Sequence, residues 1–208
     1  MPQIYRISCI GKGLKPDWNA VPSALISHYQ WPENGYRPEA WAQACHDGQA
    51  IHVRLSAREK NPRAICTQTN DMVCCDSCLE FFVQASPGAD GRYLNFEFNA
   101  RGTMLLGLGH DRYHRVLLDK DVLDVLDVQP YAIEAGGQSQ WGVCFTIPET
   151  FLRQIFPFFR MESGAALRGN FYKCGDETEF PHYASWNPVL SARPDFHRPE
   201  YFADLVLE

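Results

Sequence analysis

Apolar side chains return every second residue in segment after segment of this chain, and that period restricts it more than any other feature. In Ile51-His52-Val53-Arg54-Leu55-Ser56-Ala57-Arg58 the odd positions are apolar and the even ones polar, the pattern of a strand with one buried face. Residues 76–83 put Ser77, Leu79, Phe81 and Val83 on one face and Asp76, Cys78, Glu80 and Phe82 on the other. Residues 93–100 alternate again, with Leu94, Phe96 and Phe98 opposed to Tyr93, Asn95, Glu97 and Asn99. Between these two segments stands Ser86-Pro87-Gly88-Ala89-Asp90-Gly91, a turn signal that predicts an antiparallel hairpin. Trp141-Gly142-Val143-Cys144-Phe145-Thr146-Ile147 reads as a further strand stopped by Pro148, and residues 168–174 and 201–207 as two more. Phe151, Leu152, Ile155 and Phe156 recur at helical spacing and predict one short helix ended by Pro157. Residues 115–128 fit helix and strand equally well. Many short strands with 14 prolines and 15 glycines predict an all-β fold, a two-sheet antiparallel β-sandwich with one short helix and long loops, spanning residues 1–208 as a single domain.

Composition excludes several functions. A net charge of -6 gives no basic surface with which to neutralise phosphates, so nucleic acid is not an expected partner. No apolar run approaches the roughly 18–20 residues that span a bilayer, and no membrane partner is expected. Residues 1–14 are broken by Arg6, Gly11, Lys12 and Gly13 and contain no signal-peptide core, so the chain is expected in the cytoplasm. Its 8 cysteines then read mostly as free thiols. Cys74, Cys75 and Cys78 resemble half of a zinc clip, but no second pair follows, and small apolar residues on a strand are the favoured reading.

The polar face of the predicted hairpin is the first functional candidate. Side chains two apart on a strand project on the same side about 7 Å apart, so Glu80 and, on the neighbouring strand, Asn95, Glu97 and Asn99 form a row of hydrogen-bonding groups. A solvated sheet face is the ordinary fate of such a row. The absence of lysine among these acids and amides argues otherwise, as do His182, Tyr183 and Trp186 in a loop containing Pro and Asn. A flat ring covers the apolar C–H face of a pyranose while carboxylates and amides take its hydroxyls. The expected partner is therefore a carbohydrate, a mono- or oligosaccharide.

Longer motifs carry a family resemblance. Asn170-Phe171-Tyr172-Lys173-Cys174-Gly175, then Pro181-His182-Tyr183-Ala184-Ser185-Trp186-Asn187-Pro188, then Pro194-Asp195-Phe196-His197-Arg198-Pro199-Glu200-Tyr201-Phe202 resemble the C-terminal signature of family 9-like carbohydrate-binding modules. Tyr29-Gln30-Trp31, Tyr36-Arg37-Pro38, Glu59-Lys60-Asn61-Pro62-Arg63-Ala64 and the two hairpin segments resemble its earlier parts, so the likeness spans nearly the whole chain. The resemblance implies a β-sandwich that binds glycans without cleaving them, often in connection with polysaccharide breakdown, with no cofactor needed for chemistry and with structural calcium as an option. It assigns Trp186 to one side of an aromatic clamp and Glu80, Asn95, Glu97 and Asn170 to polar contacts. The other ring is expected just before Asp76-Ser77, where this chain has Val73, Cys74 and Cys75. Either the platform is one-sided, or Tyr172, Tyr183 or Trp41 replaces the missing ring. The expected ligand-binding set is Trp186, Glu80, Asn95, Glu97, Asn170, Tyr172 and His182, with no catalytic residue.

Two other readings compete. Glu80 and Glu97 on adjacent strands could serve a glycoside hydrolase, which needs two carboxylates about 5–5.5 Å or 6.5–9.5 Å apart, but an open sheet face would neither raise one acid's pKa nor exclude water. A structural β-module with a decayed sugar site is the third reading. Among remaining residues, Asp119, Asp121, Asp124 and Asp127 lack the glycine and terminal glutamate of an EF-hand loop. His110, Arg112, His114 and Arg115 read as an exposed basic turn, and His197 as a tie between the C-terminal loop and the sandwich. Trp141 and Trp31 are expected to be structural, and Trp41 to be a secondary site candidate.

Overall fold

A computed structural model of the chain describes residues 3–31, 34–135 and 137–208. Its strands, in chain order, are β1 (Ile4–Cys9), β2 (Ser23–Leu25), β3 (Glu39–His46), β4 (Ala50–Arg58), β5 (Cys78–Gln84), β6 (Tyr93–Asn99) and β7 (Met104–Gly109). They continue as β8 (Val116–Leu117), β9 (Gln129–Ala135), β10 (Gln138–Pro148), β11 (Ala166–Gly175), β12 (His182–Ser185) and β13 (Ala203–Leu207). Two short helices accompany them, α1 (Lys120–Leu123) and α2 (Glu149–Ile155).

The fold is the expected all-β sandwich, with one difference in its pairing. The strands of the described residues form a single sheet that curls on itself, in the order β8-β7-β6-β5-β11-β13-β1-β3-β4-β10-β9, with β12 also paired to β11 and β2 to β3. β1 is the seam between the layers, and it runs parallel to β13 on one side and to β3 on the other. Parallel neighbours need long connections, which the intervening chain supplies. The other named pairings are antiparallel, including the predicted hairpin, in which β5 and β6 set Phe81 opposite Phe96 and Glu80 opposite Glu97. Residues 115–128 resolve into β8, α1 and a 3-10 turn.

The period-two pattern explains the core. Ile51, Val53, Leu55 and Ala57 are fully buried, as are Leu79, Phe81, Leu94, Phe96 and Phe98 from the other layer. Phe145 of β10 bridges the layers, with ring centroids 5.3 Å from Phe96 and 4.7 Å from Phe98. Trp141 is buried, as expected, and its indole N–H donates to Glu59 Oε2 at 3.1 Å.

The outward face of the hairpin departs from expectation. Every residue of β5 and β6 is buried, on both faces. A 3-10 turn at Val73–Cys75 and the segment 187–202 lie over this face, and Val73, Val189, Phe196 and Phe202 pack there with Phe82, Tyr93 and Tyr172 in a second apolar cluster. The Tyr172 and Phe196 rings stack at 4.2 Å. Asp76 at the turn is fully buried, and its carboxylate accepts from Arg63, Asn99 Nδ2 and the main-chain N–H groups of Ile65 and Cys66.

Candidate functional site

The covering segment leaves a small opening over the Glu80–Glu97 pair. The pocket has a volume of about 100 Å³, and its walls include Met72, Cys74, Glu80, Glu97, Arg112, Arg115, Asp176 and Tyr183. Asp195, Phe196 and His197 close it from the C-terminal segment.

Glu80 and Glu97 face one another across β5 and β6 and are each 3 % exposed. Burial first, and then the Glu97 carboxylate, raise Glu80 well above the usual carboxylate range. Burial also raises Glu97, but the Arg115 guanidinium opposes it, donating to Glu97 Oε1 at 3.1 Å. Of the two acids, Glu97 is the one in contact with a cation. Asn95 donates to the same oxygen at 2.9 Å.

The basic turn expected to be merely exposed supplies the pocket's cations. Asp111 shapes it by accepting the N–H groups of Tyr113 at 2.7 Å and His114 at 2.9 Å, which leaves Arg112 and Arg115 on the pocket side. Glycines on β7 make the room: a Cβ on Gly107 would lie 2.5 Å from Asn95 Oδ1, and one on Gly109 2.6 Å from Arg115 Cα. His197 ties the covering segment down, as expected. Arg115 can only donate to His197 Nε2, at 3.2 Å, so the ring proton sits on Nδ1 and is given to the Tyr93 hydroxyl at 2.7 Å. Burial and the two arginines push His197 down to about 2, consistent with this neutral ring.

Several expected ligand residues lie elsewhere. Trp186 is 4 % exposed and belongs to the core, where its ring lies 5.7 Å from Phe171 and 6.1 Å from Tyr5. It cannot present a face to a sugar. The cause is a strand-like continuation: Trp186 N–H donates to Phe171 O at 2.9 Å, so Ala184 and Trp186 alternate inward as strand residues do. Asn170 is fully buried and serves the backbone, donating to Asn187 O and accepting from the N–H groups of Phe171 and Asn187, each at 2.9 Å. Tyr172 lies under Phe196 and gives its hydroxyl to Phe196 O at 3.2 Å. His182 meets Lys173 Nζ at 2.7 Å, away from the pocket. Asn95 is buried behind Glu97 as a support, not as an open contact. Trp41 lies on β3 beneath the Arg58 guanidinium. Of the rings considered as replacements for the missing aromatic, Tyr183 is the one on the pocket wall.

The hydrolase reading set aside an open, solvated acid pair, and that premise is corrected, because both acids are buried and Glu80 is raised. Calcium, the ion the resemblance allowed, takes hard oxygen donors. Among the described residues, the group of His, Cys, Asp or Glu side chains close enough to share an ion is Cys78, Glu80 and Cys174, a set too rich in sulfur for it. Among the described residues no helix is long and apolar enough to cross a membrane.

Known proteins share both sequence pattern and fold with this chain. The pattern of carbohydrate-binding family 9 matches residues 15–207. A protein of Bacteroides uniformis ATCC 8492, to which carbohydrate binding has been ascribed, superposes with a TM-score of 0.85 at 28 % identity, covering 100 % of both chains. A family 9 module of Caldicellulosiruptor kristjanssonii, solved in complex with cellotriose and with glucose, superposes with a TM-score of 0.60 at 11 % identity. The alignments cover 99 % of this chain and 94 % and 96 % of those two, and at that identity the likeness is one of fold. Among curated proteins none matches.

Proposed function

The chain belongs to carbohydrate-binding family 9, and from that premise we propose that it binds a saccharide, without cleaving it, at the pocket formed by Glu97, Arg112, Arg115 and Tyr183. The observation that carries this reading is a buried carboxyl group held by the Arg115 guanidinium on a pocket wall that also carries Arg112 and Tyr183. Neighbouring sugar hydroxyls each donate and accept, so a carboxylate and a guanidinium side by side take such a pair in charge-assisted hydrogen bonds. Met72, which is 54 % exposed, and Tyr183 offer apolar surface to the sugar's C–H groups. A cavity of about 100 Å³ has room for about three waters, which suits one hydroxylated edge of a single ring.

Hydrolysis is poorly served by the same geometry. Glu97 Oε1 already accepts from Arg115 and Asn95, and Glu80 Oε1 from the Cys174 thiol. The cavity does not enclose the two rings that flank a glycosidic bond, which the paired carboxylates of such enzymes must straddle. Glucose and cellotriose, ligands of the family 9 module above, are the first probes, and a place in polysaccharide catabolism would follow from their binding.

The test is calorimetric titration of both sugars into the wild type and an Arg112→Ala variant. Arg112 is half-exposed and its contact with Asp195 is a loose 3.7 Å, so its loss barely affects the fold. Removal of a charged hydrogen-bond donor should weaken binding roughly tenfold, and cellotriose should stay intact. Equal affinity in the variant would remove this pocket from recognition. No heat with any saccharide would restore the reading of a module with a decayed site.

A further inference from the structure

Cys78 and Cys174 stand directly opposite one another across β5 and β11, and Glu80 lies two residues along β5 on the same side. Their three donor atoms are within 4.8 Å of one another, and Cys174 Sγ is 2.9 Å from Glu80 Oε1. All three side chains are buried, at 0 %, 2 % and 3 % exposure for Cys78, Cys174 and Glu80. We propose that these residues form a binding site for a soft divalent cation of the zinc type, with Cys78, Cys174 and Glu80 as ligands and a fourth position facing the pocket.

Donor chemistry and spacing support the proposal. Two thiolates and one carboxylate select zinc over magnesium or calcium. Tetrahedral zinc with ordinary Zn–S and Zn–O distances sets its ligand atoms about 3.3–3.8 Å apart, so small side-chain rotations close the observed triangle. Packing alone gives no reason to bury a carboxyl beside two thiols, because a thiol is a weak donor and satisfies it poorly. The two thiols carry their protons until a cation displaces them: burial pushes the Cys78 thiol up to about 12, and the Cys78 hydrogen bond, followed by burial, raises Cys174 well above the usual thiol range. Binding replaces these protons by the cation and releases them to solvent, with no change of oxidation state. Cys174 and Glu80 line the pocket together with Cys74, so the pocket is the way in. Of the three clustered cysteines Cys74, Cys75 and Cys78, only Cys78 takes part, and its thiol partner comes from β11, far along the chain.

The site stands independently of saccharide binding, although the two share Glu80. Co2+ is the probe, titrated into the reduced, chelator-stripped full-length protein. The expected result is one equivalent bound with thiolate-to-cobalt charge-transfer and tetrahedral ligand-field bands, displaced by Zn2+. Cys174→Ser and Cys78→Ser should each abolish those bands, while Cys75→Ser keeps them. Circular dichroism identifies which variants are folded, and a folded one decides the matter if the other is not. Three results would overturn the proposal: no band in the folded wild type, a band that survives both substitutions, or a Cys78–Cys174 disulfide found by peptide mapping of the isolated protein.

Discussion

Lys173 has no exposed surface, and its ammonium group is held by His182 Nε2 at 2.7 Å, Cys174 O at 2.9 Å and Glu59 Oε2 at 3.3 Å. Because Lys173 can only donate, His182 must accept at Nε2 and carry its proton on Nδ1, which lies 2.7 Å from Phe180 O. Burial and the Lys173 charge push His182 down to about 4, with Glu59 pulling the other way and the Tyr36 ring packed against its edge. The unfolded chain takes up a proton near pH 6.5, well before the folded chain does. Stability is therefore lost as pH falls from about 6.5 toward 4, by up to about 3 kcal/mol for this residue. His182→Gln keeps an acceptor for Lys173 but does not titrate. Its melting temperature relative to wild type should rise between pH 7 and about 4.5; a constant difference would mean that His182 is not held neutral.

Trp186 makes the complementary prediction. As a core side chain, its replacement by Ala should cost about 3–5 kcal/mol of stability, read by denaturant unfolding, whereas Trp186→Phe should fold and bind saccharide as the wild type does. A folded Trp186→Phe that has lost only binding would return the ring to the site. The expectation of an exposed platform came from the neighbouring Pro and Asn residues. The alternation of Ala184 with Trp186 was the overlooked sign that the strand pattern continues through the loop.

At the scale of elements, the turn between β7 and β8 decides where the arginines stand. Ala at position 109 would bring a Cβ to 2.6 Å from Arg115 Cα and 2.8 Å from His114 O, backbone atoms that cannot rotate away. Gly109→Ala should thus destabilise the protein by about 1–3 kcal/mol and weaken saccharide binding by displacing Arg115. Gly88 lies in the β5–β6 turn, where an added Cβ would meet nothing within 4 Å, so Gly88→Ala is the matched control. Melting and titration of the pair check both effects, and unaltered binding in Gly109→Ala would deny the turn its positioning role. The strands most legible in sequence were those buried on one face, such as β4 and β10. β7, Met-Leu-Leu-Gly-Leu-Gly, and the alanine-rich β3 are buried along nearly their whole length and show no period to read.

At the scale of the molecule, the pocket gathers residues from the 72–80 turn and strand, from β6, from the 112–115 turn, from the end of β11 and from the C-terminal segment. The hairpin pattern placed Glu80 and Glu97 side by side correctly, because cross-strand register is local information. It could not show that residues 187–202 cover that face, nor that two arginines and a histidine converge on it, because those contacts join segments 18 to 104 residues apart that no hairpin register links. The family resemblance pointed to the chemistry, while the tertiary packing buries the expected indole, and the proposed site puts Tyr183 and two guanidinium groups in its place. A crystal structure of the protein soaked in glucose puts this exchange to the most direct test. The ring should be seated with hydroxyls between Glu97, Arg112 and Arg115 and its carbon face toward Tyr183. A ring bound instead in the groove lined by Gln3, Arg6, Leu25 and Trp186, with the Glu80–Glu97 pocket holding only water, would contradict it.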